Sequence, residues 1–295
     1  MNTHFRLDLQ IAELPVRICS DLEIRPGASF APFLAGFDAP AVTAVIKGTD
    51  VLPPHPQEVL LEENCYRVYP DGRGGFIRGF YDIHSPLEDY ARETVSEDGR
   101  DIAVRYLPSG ASILKDLDNV FFHIGIEGLM IRDRKLCLHA SLVRTALGGI
   151  LFSGPSGIGK STQADLWCRL EHAELLNGDR PIVGQKDGTW YGWGSPYAGS
   201  SRCYVNEGCP VSAVVMLEQA SSSAAERLPL AQAFRKIYSG LTVNSWDSFF
   251  SVTAFDLAVK LAEEVPVYRL SCTPDETAVK VLKDRLQKDL PYHEL

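Results

Sequence analysis

Residues 4–11, HFRLDLQI, alternate polar and apolar positions with period two, the mark of a half-buried strand. The aromatic and β-branched run GFIRGFYDI, residues 75–83, reads as another. TVSEDGRDIAVRYL, residues 94–107, reads as a hairpin turning at Asp98-Gly99, a pair that accepts the left-handed backbone of a tight turn. Pro- and Gly-rich connections, DVLPPHPQE and PDGRGG, separate these runs. At residue 112 the period changes. Through SILKDLDNVFFHIGIEGLM (112–130), Leu114, Leu117, Val120, Phe121, Ile124 and Leu129 recur at helical spacing. This predicts a helix joining a β-rich first domain, residues 1–130, to a second, residues 131–295.

In the second half, LCLHASLVRT (136–145) reads as a strand, ALGG as a turn, and GILFSG (149–154) as a short buried strand. KSTQADLWCRL (160–170) follows as a helix with Ala164, Leu166, Trp167 and Leu170 on its apolar side. AELLNGDRPIVGQ, GTWYGWG, CPVSAVVMLEQ and VPVYRLSC read as further strands, with Asp187-Gly188 closing a second hairpin. Two helices complete the chain, LPLAQAFRKIYSGL (228–241) and TPDETAVKVLKDRLQKDL (273–290), the latter opened by a capping box from Thr273 to Glu276 with Pro274 at its first position. A doubly wound nucleotide domain alternates strand and helix strictly. Hairpins on both sides of the glycine-rich helix start predict instead an α/β fold on a mixed sheet with mostly antiparallel neighbours.

At 295 residues, with 45% hydrophobic and 23% charged residues, the chain has the composition of a soluble globular protein with room for two ordinary domains. A formal net charge of -9 repels a phosphate backbone, which argues against nucleic acid as a partner unless basic residues cluster. No stretch approaches the roughly 20 apolar residues of a membrane-spanning helix. Seven scattered cysteines without a C-x-x-C pair fit reduced thiols, so the expectation is a cytoplasmic protein.

The break between strand and helix at 154–160 carries the chemistry. Gly154, Pro155, Ser156, Gly157, Ile158, Gly159, Lys160 and Ser161 fulfil G-x-x-x-x-G-K-[ST], the P-loop pattern. A triphosphate needs several backbone N–H groups turned inward, and side chains at the glycine positions would block its approach. The helix beginning near Lys160 adds its N-terminal partial charge. The residues from Gly154 to Thr162 would thus line the phosphates, with the Lys160 ammonium on the terminal ones and the Ser161 hydroxyl on Mg²⁺. Chance produces the pattern in about one chain in a hundred of this length, and the flanking strand and helix sharpen it further.

Phosphoryl transfer also needs a carboxylate near the metal or nucleophile, and positive charge where the transition state spreads its electrons. Asp179, in LLNGDRP, lies 19 residues after Lys160, about one helix and one strand, which returns a strand end to the loop. An aspartate between Gly178 and Arg180-Pro181 is equally what a turn uses. His139 falls near the sheet end opposite the TALGG turn, where it could relay a proton or hold Asp179; a histidine packed in a strand is the alternative. GWGSPYAGSSRCY (192–204) reads as a polar loop able to close over the site, with Arg202 a candidate for offsetting charge or a plain surface arginine. Trp190, Tyr191, Trp193 and Tyr197 read as core and lid packing for that region, with a stacking platform as the alternative, and His123 and His172 as structural.

Together, LHASLVRTALGGILFSGPSGIGKST and LLNGDRP resemble the C-terminal catalytic domain of the HPr kinase/phosphorylase family, whose nucleotide fold is that of phosphoenolpyruvate carboxykinases. The resemblance covers roughly residues 131–285. It implies an ATP-using serine kinase with Mg²⁺, and His139, Lys160, Ser161 and Asp179 match the family's positions one by one. Ser161 and Asp179 would hold the metal, and Asp179, His139, Lys160 and Arg202 would carry the chemistry. The acceptor implied is a serine hydroxyl on a peptide or small protein; a small-molecule alcohol such as free serine would use the same site. An ATP-binding regulatory or chaperone-like module is the non-enzyme alternative. Gly178 stands where the family has a second acidic residue, RCYVNEGCPVSAVV lacks its arginine-and-glycine signature, and residues 1–130 do not resemble its N-terminal domain. The closer resemblance is to kinase-like relatives, some of which serve peptide-modifying gene clusters. ATP or GTP, and monomer or homo-oligomer, stay open.

Overall fold

The computed structural model describes residues 5–55 and 57–289, so His4 and Leu290, at the outer ends of the first and last predicted elements, lie outside the described residues. The chain divides into two units: residues up to 133 together with 244–251, and residues 134–243 together with 252 onward.

The first unit contains β1 (Phe5–Ile11), β2 (Leu14–Ser20), β3 (Val42–Gly48), β4 (Leu61–Glu62), β5 (Tyr66–Pro70), β6 (Phe76–Asp82), β7 (Ser85–Val95) and β8 (Asp101–Tyr106). They form one mixed sheet in the order β1-β2-β3-β8-β7-β6-β5-β4. The β2–β3 and β3–β8 pairs are parallel and the others antiparallel. Ala12 and Glu13 turn β1 into β2 with both φ angles positive (47° and 68°). No Asn-Gly or Asp-Gly pair advertises that hairpin; pairing of Leu14, Val16 and Ile18 into the core holds the turn in place.

The helix predicted over 112–130 is broken in two. Asp116 accepts the Asp118 N–H (2.9 Å) and caps α1 (Leu117–Ile124). Gly125 then takes φ 64°, and α2 (Ile126–Arg132) sets off anew. All six apolar residues predicted to face inward are buried. The periodicity was a true signal of burial, but a glycine with positive φ interrupts the backbone that carries it.

The second unit contains β9 (Lys135–Cys137), β10 (Ala140–Thr145), β11 (Gly148–Ser153), α3 (Lys160–Glu171), β12 (Glu174–Asn177), β13 (Ile182–Lys186), β14 (Thr189–Trp193), β15 (Gly208–Gln219), β16 (Ala224–Arg227), α4 (Leu230–Ser239), α5 (Ser248–Glu264, which begins in the 244–251 segment), β17 (Val267–Cys272) and α6 (Glu276–Asp289). Its sheet runs β12-β10-β11-β15-β14-β13-β9, with β17 pairing both β15 and β16. Only β11–β15 and β15–β17 are parallel, so the fold is mixed α/β with mostly antiparallel neighbours. Ala164, Leu166 and Trp167 of α3 and Ala278, Val279, Leu282 and Leu286 of α6 pack on Ile150, Phe152, Val215, Tyr268 and Leu270 of the sheet.

Four local expectations are corrected. LCLHASLVRT is two strands, β9 and β10, because Leu138 and His139 carry the chain from one side of the sheet to the other. AELLNGDRPIVGQ is likewise split into β12 and β13 by the 178–181 turn. Leu170 is 44% exposed rather than on the packed side of α3. Asp275, not Thr273, caps α6: its Oδ1 accepts the Thr277 N–H (2.9 Å), and Thr273 donates its hydroxyl to the other carboxylate oxygen. Helix α5 carries apolar side chains on its exposed side (Phe249, Val252, Phe255) as well as its buried one, and this hid its period.

Candidate functional site

Three strand ends meet at one edge of the second sheet. Ala140, the first residue of β10, pairs with Ser153, the last of β11, and Leu142 pairs with Asn177, the last of β12. Chain leaving β11 enters the glycine-rich loop, and chain leaving β12 enters the turn that holds Asp179. The antiparallel register of β10 and β11 therefore brings two segments far apart in sequence to one place.

Gly154, Gly157 and Gly159 have φ of 148°, 78° and 114°, in the region that L side chains rarely adopt. No atom lies within 4 Å of where a Cβ would stand at Gly157 or Gly159, so both face open space. Gly159 is also the cap of α3, with its carbonyl accepting the Gln163 N–H (2.9 Å). The Lys160 side chain is only 7% exposed, and its Nζ donates to the carbonyls of Gly154 (3.1 Å) and Pro155 (3.2 Å). Burial pushes its pKa down, and the Asp179 carboxylate opposes that shift. Pro155, Ser156, Ser161 and Thr162 are exposed and Ile158 is half-buried, so much of the loop and first helical turn is open to solvent.

His139 is held by its backbone. Its N–H donates to Gly240 O (2.8 Å) and its carbonyl accepts the Ser153 hydroxyl (2.9 Å), one residue before the loop begins. The imidazole Nε2 lies 3.3 Å from Asp179 Oδ1, with both side chains about one-third exposed. Burial and the Lys160 charge push the imidazole below its ordinary pKa; Asp179 pulls it up and Arg180 adds to the lowering. At neutral pH His139 is an uncharged imidazole beside a carboxylate.

Asp179 lies two residues past β12, in a turn organised by Asn177. The Asn177 Oδ1 accepts the N–H groups of Asp179 (2.9 Å) and Arg180 (2.8 Å). The turn's carbonyls are bound as well: Gly178 O accepts from the Ser141 hydroxyl (3.0 Å) and Asp179 O from the Ala140 N–H (2.9 Å). Gly178 is needed by contact rather than by φ. A Cβ there would stand 2.2 Å from Ser201 Oγ and 2.5 Å from Ser201 Cβ. A side chain at this position requires Ser201 to shift.

The 194–207 segment contains a short 3₁₀ turn, Gly199–Ser201, which lies against Gly178 and Asp179. Arg202 follows with φ 51° and is exposed. Trp190, Tyr191 and Trp193 belong to β14; Trp190 and Trp193 are buried, and Trp190 donates its indole N–H to Glu264 (2.7 Å). They are sheet packing rather than a base-stacking platform. Sequence reasoning missed Asn177, Ser141 and Ser153, whose signal is local: short polar residues at the ends of otherwise apolar strands.

No family model matches the chain, and no curated protein matches it. Among solved structures it is similar to the Hpr(Ser) kinase/phosphatase from Coxiella burnetii, at 13% identity and a TM-score of 0.32, over 52% of this chain and 91% of that one. That is a weak structural relationship. Among the described residues no helix is long and apolar enough to cross a membrane.

Proposed function

We propose that the second unit binds ATP and transfers its γ-phosphoryl group to a serine hydroxyl of a peptide or small protein. The observation that carries this reading is one arrangement: a loop with three positive-φ glycines and Lys160 at a helix start, at the same sheet edge as the His139–Asp179 pair. Backbone N–H groups of the loop and first helical turn, Pro155 having none, and the Lys160 ammonium hold the phosphates. The exposed Ser161 hydroxyl and the Asp179 carboxylate are oxygen donors of the kind Mg²⁺ prefers, and Mg²⁺ bound there would neutralise charge on the phosphate oxygens.

In the transfer, the acceptor oxygen bonds to the γ-phosphorus as the bond to the β–γ bridging oxygen breaks. The hydroxyl proton passes to Asp179, supported by the neutral His139 imidazole, and ADP leaves with the bond's electron pair. The first unit would recognise the acceptor. A small alcohol such as free serine would use the same atoms. ATP binding without transfer is the second reading, favoured by the single carboxylate that Gly178 leaves in the turn.

Incubation with γ-labelled ATP separates these readings: label on a peptide supports the first, label on a small alcohol its metabolite version, and tight binding without turnover the second. Lys160→Ala should abolish ATP binding in calorimetry; unchanged affinity would remove the nucleotide site from this loop.

A further inference from the structure

The sequence offers Arg202 as the charge that meets the transferred group, yet the structure grips a different arginine. The Arg180 N–H donates to Asn177 Oδ1 (2.8 Å), and the Arg180 carbonyl accepts from Ser195 Oγ (2.6 Å). Asn177 and Ser195 are themselves joined, with Asn177 Nδ2 3.2 Å from both the carbonyl and the hydroxyl oxygen of Ser195. Both residues are buried, at 0% and 1% exposure. The residue is therefore clamped on both sides by a closed polar network, the form of support that fixes a functional side chain.

From this anchored backbone the Arg180 side chain runs back over the turn. Its Nε lies 3.8 Å from Asp179 Oδ2, on the opposite oxygen from His139, and Nη1 is 3.3 Å from Thr242 Oγ1. Its charge bears on the His139 imidazole in the same direction as the Lys160 charge, and less strongly. Its side chain is 43% exposed. Asp179 thus has the Arg180 guanidinium beside one carboxylate oxygen and the His139 imidazole beside the other, and its charge reaches Lys160 at the glycine-rich loop. Arg202, by contrast, is exposed at the end of a 3₁₀ turn, with its backbone N–H donating within that turn to Gly199 O.

We infer that Arg180 is the second cation of the nucleotide site, contacting the terminal phosphate of a bound nucleoside triphosphate where the sequence offered Arg202. A guanidinium suits the place because its planar fork can face a carboxylate on one edge and phosphate oxygens on another. This inference rests on the nucleotide-binding reading.

The test is the affinity of the full chain for ATP and for ADP, each with Mg²⁺, by calorimetry. Arg180→Ala should weaken ATP by at least about tenfold while changing ADP by less than about twofold, the loss expected for a charge-assisted contact to the terminal phosphate alone. Arg180→Lys should recover part of the difference, and Arg202→Ala should leave the ATP-to-ADP ratio unchanged. If Arg180→Ala fails to fold, Arg180→Gln gives the same comparison. An unchanged ratio in the Arg180 variants, or a ratio shifted by Arg202→Ala, overturns the inference while the nucleotide site stands. Failure of the wild-type chain to bind either nucleotide overturns both.

Discussion

Replacing Gly178 with alanine tests whether the single-carboxylate turn is held by contact. The new Cβ would stand 2.2 Å from Ser201 Oγ, 2.5 Å from Ser201 Cβ and 3.1 Å from Ala198 O. Ordinary carbon contacts need about 3.5 Å, so one side must yield by about 1 Å. The turn cannot yield readily: Asn177 holds two of its amides, while Ser141 and Ala140 hold its carbonyls. Ser201 is exposed, so the 198–201 segment gives way. Overpacking of this kind costs about 1–3 kcal/mol, and a displacement of about 1 Å beside reacting groups costs up to about a hundredfold in rate. The glycine-rich loop is untouched, so ATP affinity should stay within about twofold, a difference of about 0.4 kcal/mol. Ser201→Gly removes both of the closest atoms. A double-mutant cycle by urea unfolding should therefore show Gly178→Ala/Ser201→Gly recovering about 1–2 kcal/mol of the single variant's loss. Strictly additive effects would refute the contact.

His123 supplies a second expectation, in the first unit. Its Nδ1 donates to Asn119 O (2.6 Å), its Nε2 accepts from the Tyr90 hydroxyl (3.1 Å), and Phe80 packs on the ring. Burial, with a smaller push from Arg78, lowers its pKa to about 4, against the Asn119 bond. Because the folded-state pKa lies below the unfolded value, the stability it contributes is present above about 6.5 and lost as pH falls through about 4. Between pH 7 and 5 the wild type should lose about 2 kcal/mol more than His123→Gln in urea unfolding; parallel curves would show the ring to be free to ionise. Asp179→Asn should leave ATP affinity within about threefold and lower turnover by at least about a hundredfold in single-turnover assays, and a fully active variant would mean another group takes the proton.

The order of neighbouring residues was enough for much of what depends on local spacing, though not for the cap of α6 or the break at Gly125. The glycines and lysine of 154–160 carry their backbone requirement with them, because only residues without a Cβ take those φ angles readily and the loop needs no distant partner to be recognised. The burial of Leu114, Val120, Phe121 and Leu129 was likewise legible in their periodicity, as was the Asp187-Gly188 hairpin. What lay beyond reach depended on residues far apart in the chain. His139 could be placed at the correct sheet end, but its 3.3 Å approach to Asp179 follows from the register of β10 against both β11 and β12. The grip of Asn177 and Ser195 on Arg180, and the crowding of position 178 by Ser201, arise from a loop folding back onto a turn. Period and composition report which residues prefer to be buried or to turn; they do not encode which distant atoms will fill the same space, and only tertiary packing decides that.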